Sequence, residues 1–153
     1  SNKYTRYRLM WNDVIYQPGE IKVVAYDEAN NPLAQQVIKT AGEPKKFKLT
    51  ADRKAIKAGG KDLSYITIEV LDENGNLCPR AANLIFVEIK GPGKLIALCN
   101  GDPTDHTSFA SNYMRAFNGK LVATIESGEE TGELELVVSG GFLKKESLKI
   151  MIE

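Results

Sequence analysis

The string Asn100-Gly101-Asp102-Pro103-Thr104-Asp105 is the most site-like in the chain. Asn and Asp side chains and backbone carbonyls are calcium ligands and Gly101 permits a tight loop, which makes Asn100, Asp102 and Asp105 a candidate metal set. The spacing is not that of a full EF-hand loop. The same residues also suit a structural turn, in which Asn and Asp side chains bond to their own backbone. Residues 104–117, overlapping this string, form the longest stretch without strand alternation and carry His106, Phe109, Tyr113, Arg115 and Phe117. Long loops in compact domains often carry function. Aromatic faces stack on the C–H surfaces of sugars, so Phe109, Tyr113 and Arg115 are a candidate carbohydrate-binding set. In the competing reading Phe109 and Phe117 plug one end of the core, because large aromatics dominate core burial.

Catalytic constellations are harder to assemble. Glu126, Glu129, Glu130, Glu133 and Glu135 supply carboxylates, but they straddle a Gly-bounded turn and continue on the outward phase of a strand. They read as a solvated face, since such charges are rarely buried. His106 is the only histidine, and Ser108 and Ser111 are a few residues from it with no nucleophile elbow, so no triad forms. Cys78 and Cys99 exclude a four-thiolate zinc site and a dense disulfide framework. Both lie among apolar residues and read as small buried hydrophobes, with a single bridge as the alternative. No pattern calls for a cofactor, and no catalytic residue is assigned.

The elements that must position these residues are strands. With 42% hydrophobic and 26% charged residues in balanced signs, the 153-residue chain has the composition of a folded protein rather than a disordered one. Its length suits one domain of roughly 100 residues with a partial neighbour. A formal net charge of zero gives no footprint for nucleic acid. No apolar run approaches the roughly 20 residues that span a bilayer, so no membrane insertion is expected. The first residues lack a signal-peptide core, which in a fragment says nothing about the parent's compartment.

Period-two alternation recurs along the chain. Ile66, Ile68 and Val70 form one inward set, followed by the turn signal Asp72-Glu73-Asn74-Gly75-Asn76. Ile85, Val87 and Ile89 form the next, stopped by Gly91-Pro92-Gly93, and residues 95–99 read as a short apolar strand. Asn118-Gly119 opens a strand with Leu121, Ala123 and Ile125 inward; Leu134, Leu136 and Val138 follow, and Leu148, Ile150 and Ile152 close the series. With Phe47-Lys48-Leu49 this makes about seven strands and no convincing amphipathic helix. The predicted fold class is all-β, an immunoglobulin-like β-sandwich over residues 42–153, with a small barrel as the alternative. The antibody-type Cys-Trp-Cys core is absent, because Trp11 precedes the whole domain.

Residues 1–41 differ. The stretches 8–11, 21–26 and 33–40 read as three strands joined by turns, which is not a closed sandwich. A small sheet with one uncovered face is marginal in water, so this segment is expected to be the C-terminal strands of a preceding domain. Ala41-Gly42-Glu43-Pro44 is the expected linker.

A family resemblance runs through nearly the whole chain. Glu20-Ile21-Lys22-Val23-Val24-Ala25-Tyr26, Leu49-Thr50-Ala51-Asp52-Arg53, Asp62-Leu63-Ser64-Tyr65, Val70-Leu71-Asp72-Glu73-Asn74-Gly75 and Asn100-Gly101-Asp102-Pro103 occur in order. They resemble the C-terminal region of bacterial glycoside hydrolase family 2 enzymes of the β-galactosidase type, especially those of gut Bacteroidetes. The resemblance implies a modular parent with a jelly roll, an immunoglobulin-like domain, a catalytic TIM barrel and further immunoglobulin-like domains towards the C-terminus. The barrel carries the acid and the nucleophile, and no position here matches those motifs. The implied role is a non-catalytic accessory module whose partners are the other domains of the same chain, in a periplasmic or secreted parent. Residues from Ala41 onward are also similar to invasin-type repeats. An independent carbohydrate-binding module and an adhesin-type repeat are therefore the alternatives.

Overall fold

The computed structural model describes residues 10–153. These residues form eleven strands: β1 (Glu20–Tyr26), β2 (Pro32–Lys39), β3 (Lys46–Ala51), β4 (Ala55–Ile56), β5 (Leu63–Leu71), β6 (Leu84–Lys90), β7 (Gly93–Cys99), β8 (Tyr113–Arg115), β9 (Lys120–Ser127), β10 (Gly132–Ser139) and β11 (Glu146–Ile152). No helix occurs among them. The chain divides into two compact units, Ser1–Thr40 and Ala41–Glu153.

The second unit is a two-sheet sandwich, as the alternation predicts. One sheet has the order β3-β5-β9-β7 and the other β4-β11-β10-β6-β8. The inward phases read from the sequence are the core: Ile66, Ile68, Val70, Leu121, Ala123 and Ile125 from one sheet meet Ile85, Val87, Leu134, Leu136, Val138, Ile150 and Ile152 from the other in a single cluster. Of consecutive strands in this unit only β10 and β11 are hydrogen-bonded neighbours, so the chain changes sheet at almost every connection. That is the connectivity of a sandwich and not of a meandering barrel. The turn at Asp72–Asn76 is local in the same way: Leu71 pairs with Leu77 across it, after which the chain leaves for the other sheet.

Two strands were not expected. The two-residue β4 runs parallel to the end of β11. β8 lies inside the stretch read as lacking alternation and pairs antiparallel with β6, Phe86 opposite Tyr113. Tyr113-Met114-Arg115-Ala116-Phe117 does alternate, with Met114 and Ala116 buried and the larger residues outside. The outward aromatics disguised it, because bulk is normally an inward signal.

Among its described residues the first unit contains one antiparallel hairpin, β1 with β2, in a register that places Ile21 opposite Ile38 and Val23 opposite Gln36. Its turn is held by Asp27, which accepts hydrogen bonds from the Asn31 backbone N–H at 2.8 Å and side-chain amide at 3.1 Å while Asn30 takes the left-handed conformation. The third strand expected at 8–11 does not extend to Met10 and Trp11, which lie in no strand, and Arg8 and Leu9 are outside the described residues.

Candidate functional site

Both candidate residue sets converge on the edge where β8 meets the loop that precedes it. Phe86 and Tyr113 are cross-strand partners on the outer face of the five-stranded sheet, each 44% exposed, with ring centroids 6.0 Å apart and planes tilted by 42°. Arg115 takes the next outward position on β8, opposite Leu84, and its guanidinium donates to the Ala82 carbonyl at 3.1 Å. Phe109 does not plug the core: its backbone carbonyl accepts from the Leu98 N–H at 2.8 Å, which docks the loop on β7 and leaves the ring 61% exposed. Phe117 is also exposed, and the residues of this stretch that join the core are Met114 and Ala116. Of the five phenylalanines only Phe47 is buried. Phe86 is the residue that sequence reasoning passed over, although its place between Ile85 and Val87 puts an aromatic on the outward phase.

The loop from Asn100 to Asp105 is knitted from within. The Asn100 side-chain amide donates to Asp105 at 2.7 Å and to the Arg115 carbonyl at 3.0 Å, tying the loop to β8. The Asn100 side-chain oxygen accepts from the Asp102 N–H at 2.9 Å. One Asp102 oxygen accepts from both the Thr104 N–H and hydroxyl, at 2.9 and 2.7 Å, and Asp105 accepts from the Thr107 N–H at 2.8 Å. These bonds, the Thr107 N–H foremost, hold the Asp105 carboxyl below the usual range. The Asn100 side-chain oxygen, one Asp102 oxygen and both Asp105 oxygens thus already accept from donors of their own loop, and no cluster of three His, Cys, Asp or Glu side chains poised for a metal occurs among the described residues.

Every carboxyl among the described residues whose pKa the fold clearly shifts is shifted downward. Asp72, buried between the linker and the turn after β5, is the strongest case. Its carboxylate accepts from the Gly42 N–H at 2.9 Å, then from the Asn76 N–H at 2.8 Å and side-chain amide at 3.0 Å, and its pKa falls to about 2. At Asp52 burial alone would raise the pKa, but donors from Tyr65, Ser64 and Arg53 outweigh it. At Glu69 burial is likewise overcome by Lys120 and Lys48, each 3.2 Å away on the flanking strands β9 and β3. A general acid on a glycosidic bond needs the opposite shift, a carboxyl held protonated near neutral pH. Of the acidic cluster Glu129, Glu130 and Glu133 are exposed, whereas Glu126 and Glu135 are half-buried; Glu126 pairs with Lys94 and Glu133 with Lys149, both at 2.7 Å.

The cysteines part company. Cys78 is buried in the segment after Leu77, and burial, reinforced by Asp72 and Glu43, pushes its thiol pKa up. Cys99, expected inside, is exposed at the end of β7, opposite Val122. A bulge between Leu95 and Ala97 shifts the phase of β7, so the last residue of an apolar run faces outward.

A two-sheet sandwich whose strands repeatedly cross between sheets defines the class as an immunoglobulin-like β-sandwich module. The particular family follows from comparison with known proteins. Residues 47–149 match the family described as glycoside hydrolase family 2 C-terminal domain 5, and the chain belongs to that family. Residues 1–34 match a separate domain of unknown function, DUF4982. The chain is 39% identical over 140 residues to a β-galactosidase of Bacteroides ovatus, covering 92% of this chain and 16% of that protein. Among solved structures, a glycosyl hydrolase family 2 member from Bacteroides cellulosilyticus superposes with a TM-score of 0.86 at 29% identity, covering 92% of this chain and 18% of that one. A β-glycosidase from Bacteroides vulgatus superposes at 0.85 with 32% identity, covering 91% and 18%. The chain therefore spans less than a fifth of the length of these relatives.

Proposed function

We propose that residues 42–153 act as a non-catalytic accessory module of a longer family 2 glycoside hydrolase of the β-galactosidase type, engaged in carbohydrate degradation. Residues 1–41 are then the C-terminal strands of a preceding immunoglobulin-like domain in the same chain. The observation that carries this reading is the small share of each relative that the chain spans, which leaves most of the parent for the domain that cleaves sugar. The downward-shifted carboxyls support it. A periplasmic or secreted parent fits such an enzyme; no helix among the described residues is long and apolar enough to cross a membrane. Incubation of the 153-residue chain with an aryl β-galactoside should release no product above buffer. Hydrolysis that disappears in Glu126→Gln or Glu133→Gln would overturn the proposal.

A second reading is favoured by one feature, the exposed aromatic pair of Phe86 and Tyr113 with Phe109 and Arg115 nearby in sequence or register. These groups offer ring faces for sugar C–H surfaces and a guanidinium for hydroxyls. In affinity electrophoresis the chain would be retarded by a glycan, and Tyr113→Ala would abolish the retardation. Free migration through gels containing plant and host glycans would dispose of this reading and leave the accessory role untouched.

A further inference from the structure

The β1–β2 hairpin has two unlike faces, and the pairing register sorts its residues between them. One face carries Ile21, Val23 and Ala25 from β1 with Ile38, Gln36 and Ala34 from β2; the other carries Glu20, Lys22 and Val24 with Lys39, Val37 and Gln35. All three charged residues of the two strands, Glu20, Lys22 and Lys39, lie on the second face, where Glu20 and Lys39 pair at 3.2 Å. The first face has none. Yet this uncharged face is the open one, with Val23, Ile21 and Ile38 at 40, 48 and 63% exposure, whereas Val24 and Val37 on the charged face are half-buried. Strands alternate so that an apolar phase meets a core. Here the pattern is that of a core face without its core.

We infer that the face formed by Ile21, Val23 and Ile38 is a docking surface completed by polypeptide upstream on the same chain, which packs a second β-layer across it. The length of chain outside this segment argues for that occupant: the relatives are more than five times as long, and residues 1–34 match a domain model distinct from the one over 47–149. A two-stranded sheet is at best marginally stable in water, so the hairpin needs such a layer to persist. The inference rests on the reading of residues 1–41 as the end of a preceding domain, and it adds which face is covered and by what.

Hydrogen exchange over residues 20–39, compared between the 153-residue chain and the full-length polypeptide, tests it. The hairpin amides should exchange at least about tenfold more slowly in the full-length chain, independent of protein concentration. In that full-length chain Ile21→Asp or Ile38→Asp should remove the protection, whereas Gln35→Asp on the charged face should leave it in place. Equal exchange in both chains, or protection insensitive to Ile21→Asp and Ile38→Asp, would overturn the inference. Protection that appears in the 153-residue chain only as its concentration rises would assign the face to a second copy instead. None of these outcomes depends on whether the sandwich hydrolyses glycosides, so the accessory reading stands or falls separately.

Discussion

At the scale of single residues, the chain invests its ionisable groups in holding turns. Asp72 is the clearest instance, gathering Gly42 and Asn76 around one carboxylate. Because its pKa is about 2 in the fold and about 3.9 when unfolded, its contribution is complete above about pH 4 and is lost as pH falls towards 2. Thermal melts of the chain should therefore show a melting temperature that declines over that window. Asp72→Ala should lower the melting temperature at neutral pH and make the acid decline shallower without removing it, because Asp52, Asp105 and Glu69 are shifted in the same direction. The thiols offer a second check. Cys99 is exposed and Cys78 is buried with a raised pKa, so a thiol reagent under native conditions should modify one equivalent quickly, and Cys99→Ser should abolish the fast phase. Asp72 is recognisable in sequence as part of a turn, but its reach back to Gly42, thirty positions away, is not.

At the scale of elements, alternation decides which substitutions matter. Leu136 and Val137 are neighbours on β10, the first fully buried and the second on the outer face. Leu136→Ala should cost about 2–5 kcal/mol in urea unfolding, and Val137→Ala about 1 kcal/mol or less. The link between β8 and β9 is equally specific. Asn118 and Gly119 both have positive φ, and Phe117 and Lys120 exchange backbone hydrogen bonds across them, the two-residue turn that Asn-Gly favours. A side chain at Gly119 would also collide with the Cys78 carbonyl. Gly119→Ala should therefore destabilise by about 1–3 kcal/mol, more than an exposed turn glycine would suggest, read from the same urea midpoints. The turn was legible as Asn118-Gly119. The close approach of Cys78, brought in by the segment after β5, was not.

At the scale of the whole molecule, the two units differ in how much of their apolar surface they satisfy. The sandwich from Ala41 gathers its inward residues into one closed cluster, so residues 42–153 produced alone should fold and unfold cooperatively. A calorimetric trace of that piece with a single transition, matching the main transition of the 153-residue chain, is the expected result; a broad melt would mean that the sandwich borrows stability from residues 1–41. The hairpin unit leaves its uncharged face open, and its ordering is expected to depend on the longer chain.

The alternating phases at Ile66–Val70, Ile85–Ile89, Leu121–Ile125, Leu134–Val138 and Leu148–Ile152 determined the fold class and the core from sequence alone, because a strand's two faces are fixed by a period that local order preserves. The family words in the chain pointed to the same family that the comparisons show. Tertiary structure decided the rest. Only the pairing of β8 with β6 brought Phe86 beside Tyr113, only the docking of the loop on β7 through the Phe109 carbonyl left that ring outward, only the bulge in β7 exposed Cys99, and only the hydrogen bonds within the Asn100–Asp105 loop showed its side chains bonded to the loop itself. Each depends on which distant segment lies alongside, a relation set by sheet register and crossing loops that residue type and spacing along the chain do not encode.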